Sequence, residues 1–424
     1  MSLSSTAGPC PGGPAPGLIE RDLIERDRAL QLGGLTRWMR VLLRLAAHLE
    51  HGTVLMTLPA GPTVVLRGRT KGPVAEIHVH DQRMAKRILL KGGIGFAESH
   101  LAGEWDSPDL VALLGIANVN DALLDKVLDG APVTRLLARL GHALNRNSRS
   151  GSRRNIAHHY DLGNRFYGAW LDPSMTYSAA VFPPGVDDLA GAQAAKYDLL
   201  AGKLGLGPDH HLLEIGCGWG GFAERAAASF GCRVTAVTIS AEQYAFARRR
   251  IFEAGLAERV EIRLQDYRDI RGRFDHIASI EMFEAVGERY WPVFFDRVAA
   301  LLAPGGRAAL QVITIAETYF PRYRRHVDFI QKYVFPGGML PSPAAFERAA
   351  AAAGLARGEV TAHGPDYART LAAWRGRFLA AFDDLRPLGF DDRFRRLWTY
   401  YLAYCEAGFR TASIDVMQVA LHKG

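Results

Sequence analysis

The sequence predicts an α/β protein: a Rossmann-like parallel sheet with helices on both faces, preceded by a smaller α+β N-terminal domain. Three observations carry that reading. Residues Leu212–Gly221 form an apolar run ending in the acid Glu214 and then in Gly216, Gly218, Gly220 and Gly221, after which Phe222–Ala228 has helical character. The β-rich runs Leu212–Ile215, Arg233–Thr238, Val260–Gln265, Phe274–Ser279 and Arg307–Ile315 alternate with helical lengths, the rhythm of a parallel sheet covered on both sides. Upstream, short β-rich runs cluster between two helical stretches, which suits a separate α+β unit.

Residues 1–17 are rich in Ser, Pro and Gly and are expected to be disordered; they carry neither the basic nor the apolar stretch of a signal peptide. Leu18–Asp27 repeats Leu-Ile-Glu-Arg-Asp and is expected to open a helix reaching about His51. Thr53–Leu58, Thr63–Arg67 and Ala75–Val79, separated by Pro- and Gly-containing turns, predict a small antiparallel sheet. Residues 83–147 read as helical, so 18–147 is the N-terminal domain, expected to dock lipid or to make a homodimer. The polar run 148–154 is the linker, and 155–424 the second domain. Within it, Pro304-Gly-Gly306 predicts a sharp turn before the Arg307 strand. Ala316–Phe335 reads as an aromatic-rich helical lid over the ligand end of the sheet, and the tail Phe394–Val419 as core packing with part of an acyl pocket.

A chain of 424 residues with 48% hydrophobic composition has material for two cores. Cys10, Cys217, Cys232 and Cys405 have neither metal-ligand nor disulfide spacing, so reduced thiols and no bound metal are expected. No run approaches the ~20 apolar residues of a membrane span, and a cytoplasmic protein is expected. The formal charge of +7, with basic clusters at Arg149–Arg154, Arg248–Arg250 and Arg322–Arg325, suits an anionic partner, either lipid or nucleic acid.

The glycine turn is a place where backbone can approach a nucleotide. A dinucleotide fold would end its second strand in Asp or Glu to hold a ribose. This one ends Val237-Thr-Ile-Ser240, which counts against NAD and favours S-adenosylmethionine (SAM), a cofactor without a pyrophosphate.

Six ordered runs sharpen this. They are Asn155-Ile-Ala-His-His-Tyr-Asp-Leu-Gly-Asn164, Met175-Thr-Tyr-Ser178, Leu213-Glu-Ile-Gly-Cys-Gly-Trp-Gly-Gly221, Val237-Thr-Ile-Ser-Ala-Glu-Gln243, Leu264-Gln-Asp-Tyr-Arg-Asp269 and Met282-Phe-Glu-Ala-Val-Gly287. Together they resemble the cyclopropane-fatty-acyl-phospholipid synthases and the similar mycolic-acid methyltransferases, over roughly residues 150–424. The resemblance implies a class I SAM methyltransferase domain with a helical lid, acting on cis double bonds of phospholipid acyl chains at the inner face of a membrane. It implies that Glu214, Gly216 and Gly218 cradle the methionine part and ribose of SAM. Thr238 and Gln243 would hold the ribose, Asp266 the adenine amino group with Tyr267 beside it, and Tyr160 would close over the methionine end.

An alkene is a weak nucleophile, so its methylation needs in-line presentation in a dry pocket. It leaves a carbocation from which a base removes a proton. In the resembling family that base is bicarbonate, and Glu284, Tyr367 and Gln311 stand at positions of its cage. The chain departs from the family at Ala179, where a Cys is usual, at Ala285, where a His is usual, and at Gln311, in place of a His. A displaced base would take a proton elsewhere: loss from the new methyl closes a cyclopropane, and loss elsewhere leaves a methylene- or methyl-branched chain. The branched product is the expectation, with cyclopropane formation as the alternative. A methyltransferase for a soluble small molecule and a non-catalytic lipid-binding relative are the competing functions. No nucleic-acid partner is expected, because Ile280-Glu-Met-Phe283 stands where amino methyltransferases carry an Asn-Pro-Pro-Tyr-type loop.

Overall fold

The computed structural model describes residues 23–59, 61–120 and 162–423. The expected tail 1–17, the linker 148–154, the basic run Arg149–Arg154 and Tyr160 lie outside the described residues.

The N-terminal sheet has the order β1-β3-β2-β4-β5, made of Leu23–Glu25, His51–Thr57, Thr63–Arg67, Thr70–Val79 and Trp105–Asp106 numbered in chain order. It is mixed rather than antiparallel: β2 and β3 form the expected hairpin, but β4 pairs parallel to β2 and β1 parallel to β3. The long helix expected from Leu18 to His51 is also broken. Leu23–Glu25 hydrogen-bonds along β3, and Gly34, at φ 79°, separates helix Arg26–Ala29 from helix Arg37–Leu45. Tertiary pairing outweighs local helix propensity there. Thr36 caps the second helix by accepting from Met39 N–H. Helices Arg37–Leu45, Arg83–Leu101 and Leu110–Val119 accompany the sheet, and Arg83–Leu101 is kinked at Gly92, whose φ of 63° and ψ of −139° only glycine adopts readily.

The second sheet has the order β11-β12-β10-β9-β6-β7-β8. Strands β6 (His211–Ile215), β7 (Arg233–Thr238), β8 (Val260–Leu264), β9 (Phe274–Ile280) and β10 (Leu302–Ile315) are parallel, close to the predicted runs. The all-parallel expectation fails at the edge. Strand β12 (Ile414–Lys423) is antiparallel to both β10 and β11 (Leu355–Ala362). The tail is therefore helix Asp392–Arg410 followed by a strand that completes the sheet. Pro304-Gly-Gly306 is a register shift inside β10, with Gly305 at φ 75°, rather than a turn ahead of it. The lid segment holds two short helices, Phe320–Tyr323 and Phe329–Tyr333, rather than one long one.

The two sheets are not packed independently. One apolar cluster runs from Met39, Met56 and Leu114 through Trp170 and Trp374 to Trp398 and Leu402. The N-terminal elements thus share a core with helices Gly364–Leu385 and Asp392–Arg410. This continuity lets one cavity cross from one sheet to the other.

Candidate active site

Strand order reverses around β6, which has β7 on one side and β9 on the other. Ligands of such sheets bind beyond the strand carboxyl ends at that point. Glu214 is a buried acid one residue before the end of β6 at Ile215. Gly216, at φ 85°, follows; a Cβ there would lie 2.7 Å from Met282 Cγ, so only glycine fits. A Cβ added at Gly218, where φ is 52°, would meet nothing within 4 Å, so the backbone there is open to a ligand. Burial pushes the Glu214 carboxyl up to about 8, against the opposing charge of Lys196, and its Oε2 has no hydrogen-bond partner among the described residues. A buried acceptor beside an open glycine backbone fits the amino-acid and ribose groups of SAM.

Two further strand ends complete the cradle. Thr238 closes β7 and donates from Oγ1 to Gln243 Oε1 at 3.0 Å, while Ser240 caps the next helix at Gln243 N–H. Asp266 follows β8; its carboxylate is gripped by Arg268 at 2.8 and 2.6 Å, leaving only its remaining lone pairs for an adenine amino group. Tyr267 packs edge-on against Phe294 and lines the same cavity.

The base cage differs from the expectation in its central group. Glu281, the first residue after β9, has φ 49°, a backbone region uncommon for non-glycine residues. Its Oε1 accepts from Ala179 N–H at 2.7 Å and from Gln311 Nε2 at 2.7 Å, and its Oε2 from Tyr367 OH at 2.6 Å. Gln311 is itself oriented by Gln418 Nε2, 2.9 Å from its Oε1. The donors expected to hold a bicarbonate therefore hold a carboxylate of the chain itself, and a separate ion does not fit the cage as built. Burial raises the Glu281 carboxyl, and Tyr367, Ala179, Gln311 and the charge of Lys196 pull it back down. Tyr367 is pushed well above the usual phenol range by burial and by Glu281, so it stays protonated and donates.

Glu284 lines the cavity but stands apart from that network. Its Oε1 accepts from Ile313 N–H at 2.5 Å, and its Oε2 has no partner among the described residues. Its backbone carbonyl accepts from Met339 N–H at 2.8 Å, tying the stretch that follows the lid to the site. Burial and the neighbouring Glu281 push its carboxyl up to about 8, so it is largely neutral at pH 7. Lys196, fully buried, donates to Ser178 Oγ at 2.7 Å and lies 4.1 Å from the Tyr197 ring centroid. Burial lowers it to about 7 against the pull of Glu281, Asp172 and Glu214.

Of the expected residues, Glu214, Gly216, Gly218, Thr238, Gln243, Asp266, Tyr267, Glu284 and Tyr367 line one cavity of about 1220 Å³. Gln311 joins them through Glu281. Sequence reasoning missed Glu281 and Lys196. Glu281 had a signal: an acid directly at the carboxyl end of a central strand. Lys196 had none, being one lysine on a helix flank.

The family profile described as "Mycolic acid cyclopropane synthetase" matches residues 147–419. The chain is 42% identical over 392 residues to a tuberculostearic acid methyltransferase of Mycobacterium tuberculosis, covering 90% of each. It is 36% identical over 359 residues to the cyclopropane-fatty-acyl-phospholipid synthase of Escherichia coli, covering 82% of this chain and 88% of that one. Among solved structures, a cyclopropane synthase from Mycobacterium tuberculosis superposes with TM-score 0.60 at 32% identity, over 64% of this chain and 98% of its own. A mycolic acid cyclopropane synthase in complex with SAH and CTAB gives the same values.

Proposed function

The chain belongs to the mycolic acid cyclopropane synthetase family, and we propose that it methylates a cis double bond of a phospholipid acyl chain to give a methylene- or methyl-branched product. It is a SAM-dependent lipid methyltransferase with the class I fold. One observation carries the finer reading: the carboxylate of Glu281 fills the base cage, held by Ala179, Gln311 and Tyr367.

SAM supplies an electrophilic methyl group. The chain's residues bind and orient it through Glu214, the glycine turn and Thr238–Gln243, and the apolar cavity keeps water away. Addition of a methyl to one alkene carbon leaves a positive charge on the other. Glu281 stabilises that charge as a nearby anion and is the acceptor of the proton lost in the last step. With the ring left open, a hydride shift places the charge on the methylated carbon, and proton loss restores one double bond. A base tethered through its own backbone and fixed by three donors has a set direction of approach, unlike a diffusible ion. That restriction supports a single proton-loss outcome distinct from ring closure. The relative of 42% identity is likewise named for methyl transfer rather than for cyclopropane formation.

No helix among the described residues is long and apolar enough to cross a membrane. We read the lipid as drawn from a membrane surface, with its anionic headgroup toward the basic residues that line the cavity, Arg322 and Arg325 together with Lys91 and Lys332. The test is mass spectrometry of cis-monounsaturated phospholipid vesicles incubated with the enzyme and methyl-labelled SAM. Hydrogenation that spares rings follows. A product heavier by one CH2 that takes up hydrogen supports the branched reading; one that takes up none is a cyclopropane and overturns it.

A further inference from the structure

The cavity does not end at the reacting centre. It continues into the N-terminal elements, where Val54, Met56 and Ile77 of the sheet face Leu42, Leu113 and Ala117 of the helices across it. Protein cores are packed like organic crystals, and even a single Leu→Ala void costs ~3–5 kcal/mol. A hollow apolar core is therefore a receptor for an apolar ligand. At about 1220 Å³ the whole space exceeds the ~300–1,000 Å³ of an ordinary ligand pocket.

A charged joint at the cavity wall ties the N-terminal elements to the lid. Glu98 Oε2 accepts from Lys91 Nζ at 2.6 Å, and its Oε1 from Lys332 Nζ at 2.7 Å and Tyr333 OH at 2.8 Å. Lys91 lies on helix Arg83–Leu101, whose Met84 and Ile88 wall the N-terminal chamber; Lys332 lies on the lid helix, whose Phe329 and Ile330 wall the catalytic one. Both lysines line the cavity. Two ammonium groups share the one carboxylate of Glu98, so this stretch of the wall keeps a net positive charge that suits an anionic group better than methylene groups. A molecule with two apolar arms joined by an anionic centre matches a cavity with apolar walls in both parts of the molecule and cationic groups on its wall.

We infer that the hollow core between the N-terminal sheet and its helices receives the second, non-reacting acyl chain of a diacyl phospholipid whose unsaturated chain enters the catalytic compartment. This rests on the phospholipid reading above but not on which product forms. Kinked at Gly92, helix Arg83–Leu101 is the wall shared by the chamber and the joint.

The test uses the full-length protein and two photoreactive phosphatidylglycerols in vesicles, without SAM. One carries a terminal diazirine on its saturated chain, the other on its cis-unsaturated chain. The saturated-chain probe is expected to label peptides containing Met56 and Leu113, and the unsaturated-chain probe the catalytic compartment. Adducts of the saturated-chain probe confined to the lid and helix Asp392–Arg410 would overturn the inference, as would N-terminal labelling by the unsaturated-chain probe. A second readout is Ala117→Phe, with Ala117→Trp as the stronger filler, each first shown by melting to be folded. Turnover of diacyl substrate is expected to fall about tenfold while that of the single-chain lyso form holds. An unchanged ratio contradicts the chamber. A cyclopropane product would overturn the product reading and leave the labelling pattern as it is.

Discussion

The cofactor cradle and the base cage sit at neighbouring strand ends of one sheet and are built in opposite ways. Backbone makes the cradle: glycines at φ 85° and 52° and the ends of β6, β7 and β8, all within residues 211–268. Side chains make most of the cage, those of Glu281, Gln311, Tyr367 and Gln418 with the backbone N–H of Ala179, and these residues lie far apart in the chain. A backbone site tolerates change in what surrounds it but not in its own glycines. A side-chain site can be rewired one residue at a time, and here a carboxylate of the chain holds the centre of the cage.

The largest effect should come from the cage. Glu281→Gln removes the proposed proton acceptor, and single-turnover methylation should fall by ~10²–10⁴-fold with SAM affinity unchanged. A near-normal rate would place the base elsewhere. The cradle should respond in the opposite sense. Gly216→Ala forces a Cβ to 2.7 Å from Met282 Cγ at a positive φ. SAM binding by calorimetry should weaken by roughly 10–100-fold, the equivalent of ~1–3 kcal/mol of backbone strain. Equal loss of binding in both variants would erase the distinction between the two regions.

Tyr367→Phe sharpens it further. The phenol's hydrogen bond lowers the raised carboxyl of Glu281. Without it the carboxyl titrates higher, so the rise of activity with pH should move to higher pH, with a loss of about tenfold at pH 7. A profile lowered uniformly, without a shift, would mean that Tyr367 does not tune the base. The smallest effect concerns stability. Glu284 is raised to about 8 from 4.5 in the folded protein. Its stabilising contribution is complete below pH 4.5 and is lost as pH rises toward 8. Glu284→Gln should therefore melt higher than the parent at pH 8, the difference shrinking toward pH 5. A constant difference would show that Glu284 is not titrating across that range.

The same contrast explains what could be read from sequence. Strands β6 to β9 and the cradle were legible because glycines, apolar runs and an acid stand in contiguous order. Glu281 carried a positional signal, an acid at the end of a central strand, but its role depends on three donors that only the fold brings to it. Gln311 and Tyr367 were placed near the base by family likeness, while their common partner stood one residue beyond the end of β9. Strand β12 escaped because it closes the sheet from the far end of the chain, beside a helix whose aromatic pattern dominates the tail. In the N-terminal sheet, β1 looked helical from its repeat, and long-range pairing with β3 decided otherwise.

In the proposed mechanism Glu281 is the base and no external ion is needed. The direct measurement is methyl transfer in buffer stripped of carbon dioxide and bicarbonate, with and without bicarbonate added back. A rate that is the same in both is the predicted result. A rate that collapses on depletion and returns with added bicarbonate would contradict it.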